Sequence, residues 1–111
     1  MSENAMRLCA LDDIADGDTA AFTTTVEGQP TAVLAVRRRS EVFVYVNSCP
    51  HIGSPLDFTP GQFLNLEKTH IQCSTHGALF QIEDGLCVAG PCQGKHLEPV
   101  AASVRDGEVL L

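Results

Sequence analysis

Two short stretches place a thiol and an imidazole side by side: Cys49-Pro50-His51 and Cys73-Ser74-Thr75-His76. Thiolate and imidazole are the ligands that zinc and iron–sulfur centres draw from a protein. A glycine follows each pair, Gly53 and Gly77, as expected where the backbone turns sharply and passes close to a bulky group. Two Cys and two His could hold one zinc, or one [2Fe–2S] cluster in which one iron takes both Cys and the other both His. Structural zinc sites usually group like ligands, Cys-x₂-Cys and then His-x₃-His. Here both stretches are mixed, and a single residue separates Cys49 from His51. Each loop can then deliver one ligand to each iron, so the spacing favours the cluster over zinc.

The elements that must position these loops read as short strands broken by turns. Residues 20–26, 31–37 and 41–47 are β-branched and partly alternating, and are expected to form a meander across Glu27-Gly28-Gln29-Pro30 and Arg37-Arg38-Arg39. The arginine run reads as a solvated hairpin tip or a local docking spot. A second block opens at Ser48, with loops at 48–61 and 73–78 joined by a hairpin of Gln62–Leu66 and Thr69–Cys73. Short strands are expected at Leu79–Ile82 and Leu86–Val88, around Glu83-Asp84-Gly85. A third loop runs through Ala89–Gly94. A final hairpin, His96–Val104 and Glu108–Leu111, turns at Arg105-Asp106-Gly107. No segment carries a ten-residue helical pattern, and no repeat or linker interrupts the chain.

The bulk composition fits one all-β domain spanning residues 1–111, with residues 1–5 as a flexible tail. An apolar content of 44% is that of a folded domain. The net charge of −7, from 14 acidic and 7 basic residues, excludes the basic face a nucleic-acid binder needs. It suits docking to a basic patch on a partner protein, and equally an ordinary acidic protein of the cytoplasm. Acidic Asp12, Asp13, Asp16 and Asp18 near the start leave no signal-peptide pattern, and no apolar run reaches membrane-spanning length. An odd number of cysteines, five, in such a chain points to metal or redox chemistry rather than a disulfide scaffold. Cys9, within Leu8-Cys9-Ala10-Leu11, and Tyr45 read as core residues, and His70 and His96 as solvated side chains.

Cys-x-His-x-Gly followed by Cys-x-x-His-Gly resembles the signature of Rieske-type [2Fe–2S] ferredoxins, of the low-potential dioxygenase type. Pro55-Leu56, Ala78-Leu79-Phe80, Gly85, Gly90-Pro91 and Leu97 extend the likeness, which covers residues 41–111 well. The resemblance implies a Rieske fold: an antiparallel β-sandwich of short strands. A small cluster-binding subdomain, roughly residues 48–96, is then built from two ligand loops and a proline loop at Gly90-Pro91. It implies one [2Fe–2S] cluster per chain, ligated by Cys49, His51, Cys73 and His76, with the two histidines at a solvent-facing tip framed by Gly53, Gly77 and Pro91.

The implied role is that of a one-electron carrier in the cytoplasm, with no catalysis of its own. It would work between redox partners such as a flavin reductase and a terminal oxygenase, without nucleic acid or membrane. An accessory subunit of a larger reductase such as nitrite reductase, or a zinc-stabilised interaction module, are the other readings. High-potential relatives join their ligand loops by a disulfide and set a serine and a tyrosine hydroxyl against the cluster sulfurs. The matching positions here hold Ser54, Thr75, Ala78 and Phe80, which implies a low potential. The segment between the ligand loops is longer than in compact ferredoxins, with the extra residues expected within Phe58–Lys68. Cys87 and Cys92 flank the proline loop, either as a bridge bracing it or as two reduced thiols packed beneath it. A cytosolic location favours the thiols.

Overall fold

The computed structural model describes residues 7–50, 56, 62–73 and 77–111. Among them the chain is strand and turn, with one 3-10 turn at Leu11–Asp13. The strands run β1 (Arg7–Ala10), β2 (Thr19–Val26), β3 (Gln29–Arg38), β4 (Glu41–Val46), β5 (His70–Gln72), β6 (Leu79–Gln81), β7 (Cys87–Ala89), β8 (Pro99–Val100), β9 (Ser103–Arg105) and β10 (Glu108–Leu110). They form three antiparallel sheets, ordered β1-β10-β9, β2-β3-β4-β8 and β5-β6-β7. The four-stranded sheet is the middle layer. Its meander is the one expected from sequence, closed at Glu27 and Gly28, whose φ angles of 50° and 81° match a type I′ hairpin turn.

β3 shows why the sheet is central. Val33, Leu34, Ala35 and Val36 are all fully buried, so both faces of the strand are covered. Side chains alternate across a strand, and accordingly Val33 and Ala35 enter one core while Leu34 and Val36 enter another. The first core packs them against Cys9, Ile14, Val44 and Val109, which joins the middle sheet to β1 and β10. The second packs Leu34, Val36 and Tyr45 against Ile71, Phe80, Ile82 and Cys87, which joins it to the small sheet. The Tyr45 hydroxyl donates to Ile82 O at 2.5 Å across that second core. Its burial, reinforced by Asp84 and Glu83, pushes its pKa up to about 12. Cys9 is buried in the first core, as its apolar run suggests, and burial likewise raises its thiol pKa.

Three expectations change. The single strand at His96–Val104 is two: β8 pairs with β4, while β9 pairs with β10 in another sheet. A strand that passes from one layer to the next must bend, and residues 101–102 form the break. The arm Gln62–Leu66 contributes one bridge, Leu64 to Ile71, rather than a strand, because the turn closes early. There Asn65 Oδ1 accepts the backbone N–H groups of Thr69 and His70, with Lys68 at φ 59°. The arginine run is not uniformly solvated. Arg37 Nη1 donates to Leu11 O and Ile14 O at 3.3 and 2.9 Å, tying the 3-10 turn to the middle sheet. Arg38 pairs with Glu83. The expected tail at residues 1–5 lies outside the described residues. No helix among the described residues is long and apolar enough to cross a membrane.

Candidate metal centre

The two cysteines of the mixed motifs lie in one buried core. Cys49 and Cys73 are 1% and 0% exposed and belong to the same buried cluster, which also holds Leu56, Ala78, Phe80, Cys87 and Cys92. Their partners in the motifs, His51 and His76, lie outside the described residues, as do Ile52, Gly53, Ser54, Pro55 and Thr75. Cys49 stands just past the end of β4 and Cys73 just past the end of β5. Both thiols therefore emerge from strands whose side chains are locked in the second core, β4 through Tyr45 and β5 through Ile71.

Backbone hydrogen bonds fix the roots of both loops. Cys73 N–H donates to Ala78 O at 2.9 Å, and Gly77 N–H donates back to Cys73 O at 2.8 Å, so the loop is pinched shut across residues 73–78. Gly77 holds φ at +70° with no atom near its absent Cβ, so the requirement there is conformational rather than steric. On the other side Asn47 is the residue that motif reading missed. Its Oδ1 accepts Leu56 N–H at 2.7 Å, clamping the two ends of the first loop while its own N–H donates to Ala32 O at 2.9 Å. An Asn directly after a strand and before a Cys-containing loop is the available signal, since Asx side chains bond nearby backbone in turns.

The third loop closes over the second. Gly90 has φ +103°, and a Cβ there would stand 2.8 Å from Ala78 Cα and 3.0 Å from its Cβ. Only a residue without a side chain lets the two loops touch. Gly90→Ala should therefore lower thermal stability by about 1–3 kcal/mol through overpacking, and hasten loss of any bound metal, because Ala78 cannot shift without disturbing the bond to Cys73. Thermal unfolding and the decay of metal-dependent absorbance measure both. A variant with wild-type values in both assays would disprove the close approach.

Within the third loop Pro91 is exposed and Cys92 is buried. Cys87 and Cys92 are free thiols, with their sulfurs 3.2 Å apart and Cys87 Sγ also 3.2 Å from Ala89 O. Burial, and then the sulfurs of Cys87 and Cys49, push the Cys92 pKa up to about 12. The two sulfurs sit beneath the loop within reach of one another and are not bridged in this structure. His70 is half-buried on β5, its Nδ1 2.9 Å from Thr69 Oγ1, and His96 is exposed. Among the described residues no group of three or more His, Cys, Asp or Glu is placed to hold a metal ion.

The profile of the Rieske [2Fe-2S] domain family matches residues 4–105. No curated protein matches the chain. Among solved structures, the ferredoxin of carbazole 1,9a-dioxygenase from Nocardioides aromaticivorans IC177 superposes with a TM-score of 0.76 at 27% identity, over 97% of this chain and 96% of that one. The Sphingomonas yanoikuyae B1 ferredoxin superposes with a TM-score of 0.71 at 29% identity, over 96% and 95%. A complex of reduced oxygenase and oxidized ferredoxin in carbazole 1,9a-dioxygenase contains a chain of the same fold, with a TM-score of 0.73 at 20% identity over 97% of this chain and 92% of that one.

Proposed function

The chain belongs to the Rieske [2Fe–2S] domain family, its cofactor is a [2Fe–2S] cluster, and from that premise we propose that it is a one-electron carrier between a reductase and a terminal oxygenase or similar enzyme. In this reading Cys49 and Cys73 hold one iron and His51 and His76 the other. The donor chemistry fits: two buried thiols, on separate loops rooted in one core, can reach a common centre. The resemblance to the Rieske signature assigns His51 and His76 to complete the set. When bound, the cluster supplies one reversible electron.

The observation that carries the reading is how firmly the two thiols are held. Asn47, the pinched bonds at Cys73, and Gly90 against Ala78 fix the loop roots by packing and hydrogen bonds. A rigid frame suits electron transfer, because little has to move when the charge on the centre changes. Gly77, Gly90 and Pro91 are exposed and give the frame a solvent-facing rim. His51 and His76 would lie at that rim and form the exit edge. The carbazole 1,9a-dioxygenase ferredoxin it resembles belongs to a dioxygenase system, which supports an oxygenase as acceptor. A cytoplasmic location suits an odd count of five cysteines read as metal or redox chemistry rather than a disulfide scaffold.

The test combines composition and kinetics. Purified protein should hold two irons and two acid-labile sulfides per chain, the [2Fe–2S] stoichiometry. Stoichiometric zinc without sulfide, from iron-replete cells, would establish the zinc-stabilised module instead. With a net charge of −7 the carrier should favour a basic partner surface. Its electron-transfer rate should then fall as salt rises, because exposed charges are screened beyond about 8 Å at physiological ionic strength. A rate that is flat or rising with salt would replace electrostatic docking by contact through apolar side chains near the rim, such as Leu79, which is half-buried.

A further inference from the structure

β2 is the outermost strand of the middle sheet, with β3 on one side and no described strand on the other. Two bonds fix which way its backbone groups point. Arg37 N–H donates to Asp18 O at 3.0 Å, and Asn47 N–H donates to Ala32 O at 2.9 Å. Along an antiparallel strand, residues alternate between bonding one neighbour and turning to the other side. Odd-numbered residues of β3 therefore face β2, and even-numbered ones face β4. With Phe22 opposite Val33, Ala20, Phe22, Thr24 and Val26 bond β3, while Ala21, Thr23 and Thr25 turn their N–H and C=O outward. These three residues are exposed, and no described residue bonds their outward groups. At Thr19 the edge is closed, since Asp18 Oδ1 accepts the Thr19 N–H at 2.8 Å. Proteins normally keep sheet edges short or bulged, or guard them with charged residues. The other edges here obey: β8 has two residues, β5 and β7 have three each, β1 is irregular and starts at Arg7, and β9 ends at Arg105. β2 does not. Its eight residues pair with β3 in unbroken register and include no charge and no proline.

We propose that the edge Ala21–Thr25 of β2 pairs antiparallel with the same edge of a second copy of this chain, joining two middle sheets into one. The twofold axis falls at Thr23. Thr23 meets Thr23 and Ala21 meets Thr25, and each pair exchanges two N–H···O bonds. The side chains brought together are small, and Thr–Thr is a favourable cross-strand pair. Charge selects the occupant. Each copy carries −7, which opposes association wherever acidic groups face each other. The strand Thr19–Val26 is uncharged, so two copies can approach along it, whereas a basic partner surface finds no carboxylate there. The same register sets Glu27 of the second copy beside Thr19, on the wall of a cleft of about 240 Å³ that also holds Asp18 and Lys68. Asp18 is engaged with the Thr19 N–H, and among the described residues neither Glu27 nor Lys68 has an ion pair. Acid therefore meets base at both ends of the paired strands. β2 lends Ala20, Phe22 and Val26 to the first core and no residue to the second, so pairing leaves the ligand loops open to a redox partner. One strand edge buries less than the roughly 800 Å² per partner of a standard interface, so the dimer is weak and forms as concentration rises.

Sedimentation equilibrium of the full chain as purified tests this. The wild-type chain should pass from monomer to dimer as concentration rises, and a chain still monomeric at about 1 mM overturns the proposal. Thr23→Lys sets two ammonium groups against each other on the axis, where like charges are destabilising, and should remain monomeric where the wild type dimerises. Thr23→Glu should do the same. An equimolar mixture of the two variants should recover the dimer, because only residue 23 faces its own copy. A mixture that stays monomeric, or a Thr23→Lys protein that dimerises like the wild type, places any self-association on another face and overturns the proposal. A wild-type monomer that binds a terminal oxygenase, with binding lost in Thr23→Lys, gives the edge to that partner and overturns it too. If the variants fail to fold, hydrogen exchange on the wild type decides. Protection at Ala21, Thr23 and Thr25 should rise with protein concentration, while Ala20, Phe22 and Thr24, already bonded to β3, stay protected throughout. Concentration-independent exchange at the three outward amides rejects the pairing.

Discussion

Cys73→Ala should yield a protein without iron, sulfide or visible absorbance, and should loosen one half of the fold while sparing the other. The asymmetry follows from the two cores. The first, around Cys9, Ile14, Val33, Ala35, Val44 and Val109, shares no buried residue with the second. Among the described residues, its strands β1, β9 and β10 pack into the first core alone. The second core includes Cys49 and Cys73 themselves, and its small sheet has three-residue strands. Strands so short supply little independent stability, so metal binding there contributes directly to folding. Hydrogen exchange should show protection retained along β1 and β10 and lost along β5, β6 and β7. Cys49→Ala, His51→Ala and His76→Ala should behave alike. His70→Ala and His96→Ala should keep the spectrum, His70 because it is engaged with Thr69 on β5 and His96 because it is exposed. A His70 variant that loses the cluster, beside a His76 variant that keeps it, would reassign the second iron. Uniform loss of protection across all three sheets would show that the two cores fold as one unit.

What the sequence revealed of this molecule was local. Thr19–Val26, Gln29–Arg38 and Glu41–Val46 are long, β-branched and separated by short turns, so the meander could be read almost to its ends. The spacing in Cys49-Pro50-His51 and Cys73-Ser74-Thr75-His76 pointed to metal chemistry, because the proposed ligands of each loop lie close in sequence. What escaped was set by partners far along the chain. β1 is a strand because Arg7–Ala10 meets β10, with Arg7 opposite Leu110. The stretch His96–Val104 is apolar enough for one strand, and only the layers on either side decide that Pro99–Val100 joins β4 and Ser103–Arg105 joins β10. Arg37 reads as a surface charge until the carbonyls of Leu11 and Ile14 are seen beneath it.

The midpoint potential should lie toward the negative end of the Rieske range, which runs from about −150 to +300 mV. Hydrogen bonds to the sulfurs are the main lever available to the protein, since they stabilise the form with more negative charge. Two backbone donors among the described residues near Cys73 are committed elsewhere. Cys73 N–H bonds Ala78 O, and Gly77 N–H bonds Cys73 O, so both amides close the loop. Ala78 and Phe80 are fully buried and carry no hydroxyl. Hydroxyls at these positions are what the resemblance to high-potential relatives would require. No cysteine stands at Ser54 or Thr75 to join the loops by a disulfide. Ala78→Ser returns one hydroxyl. A hydrogen bond to a charged acceptor contributes about 1.5–3 kcal/mol, only part of which distinguishes the two oxidation states. A tenfold bias is about 59 mV for one electron. The variant should therefore move the midpoint positive by several tens of millivolts, and Ala78→Ser with Phe80→Tyr further still. The serine must fit beside Gly90, whose Cα faces Ala78 across a gap that admits no extra carbon, so its hydroxyl is steered away from that loop. Protein-film voltammetry on the three proteins decides the matter. A wild-type midpoint near the positive end of the range would mean that donors other than these residues act on the sulfurs, and the low-potential reading would fall.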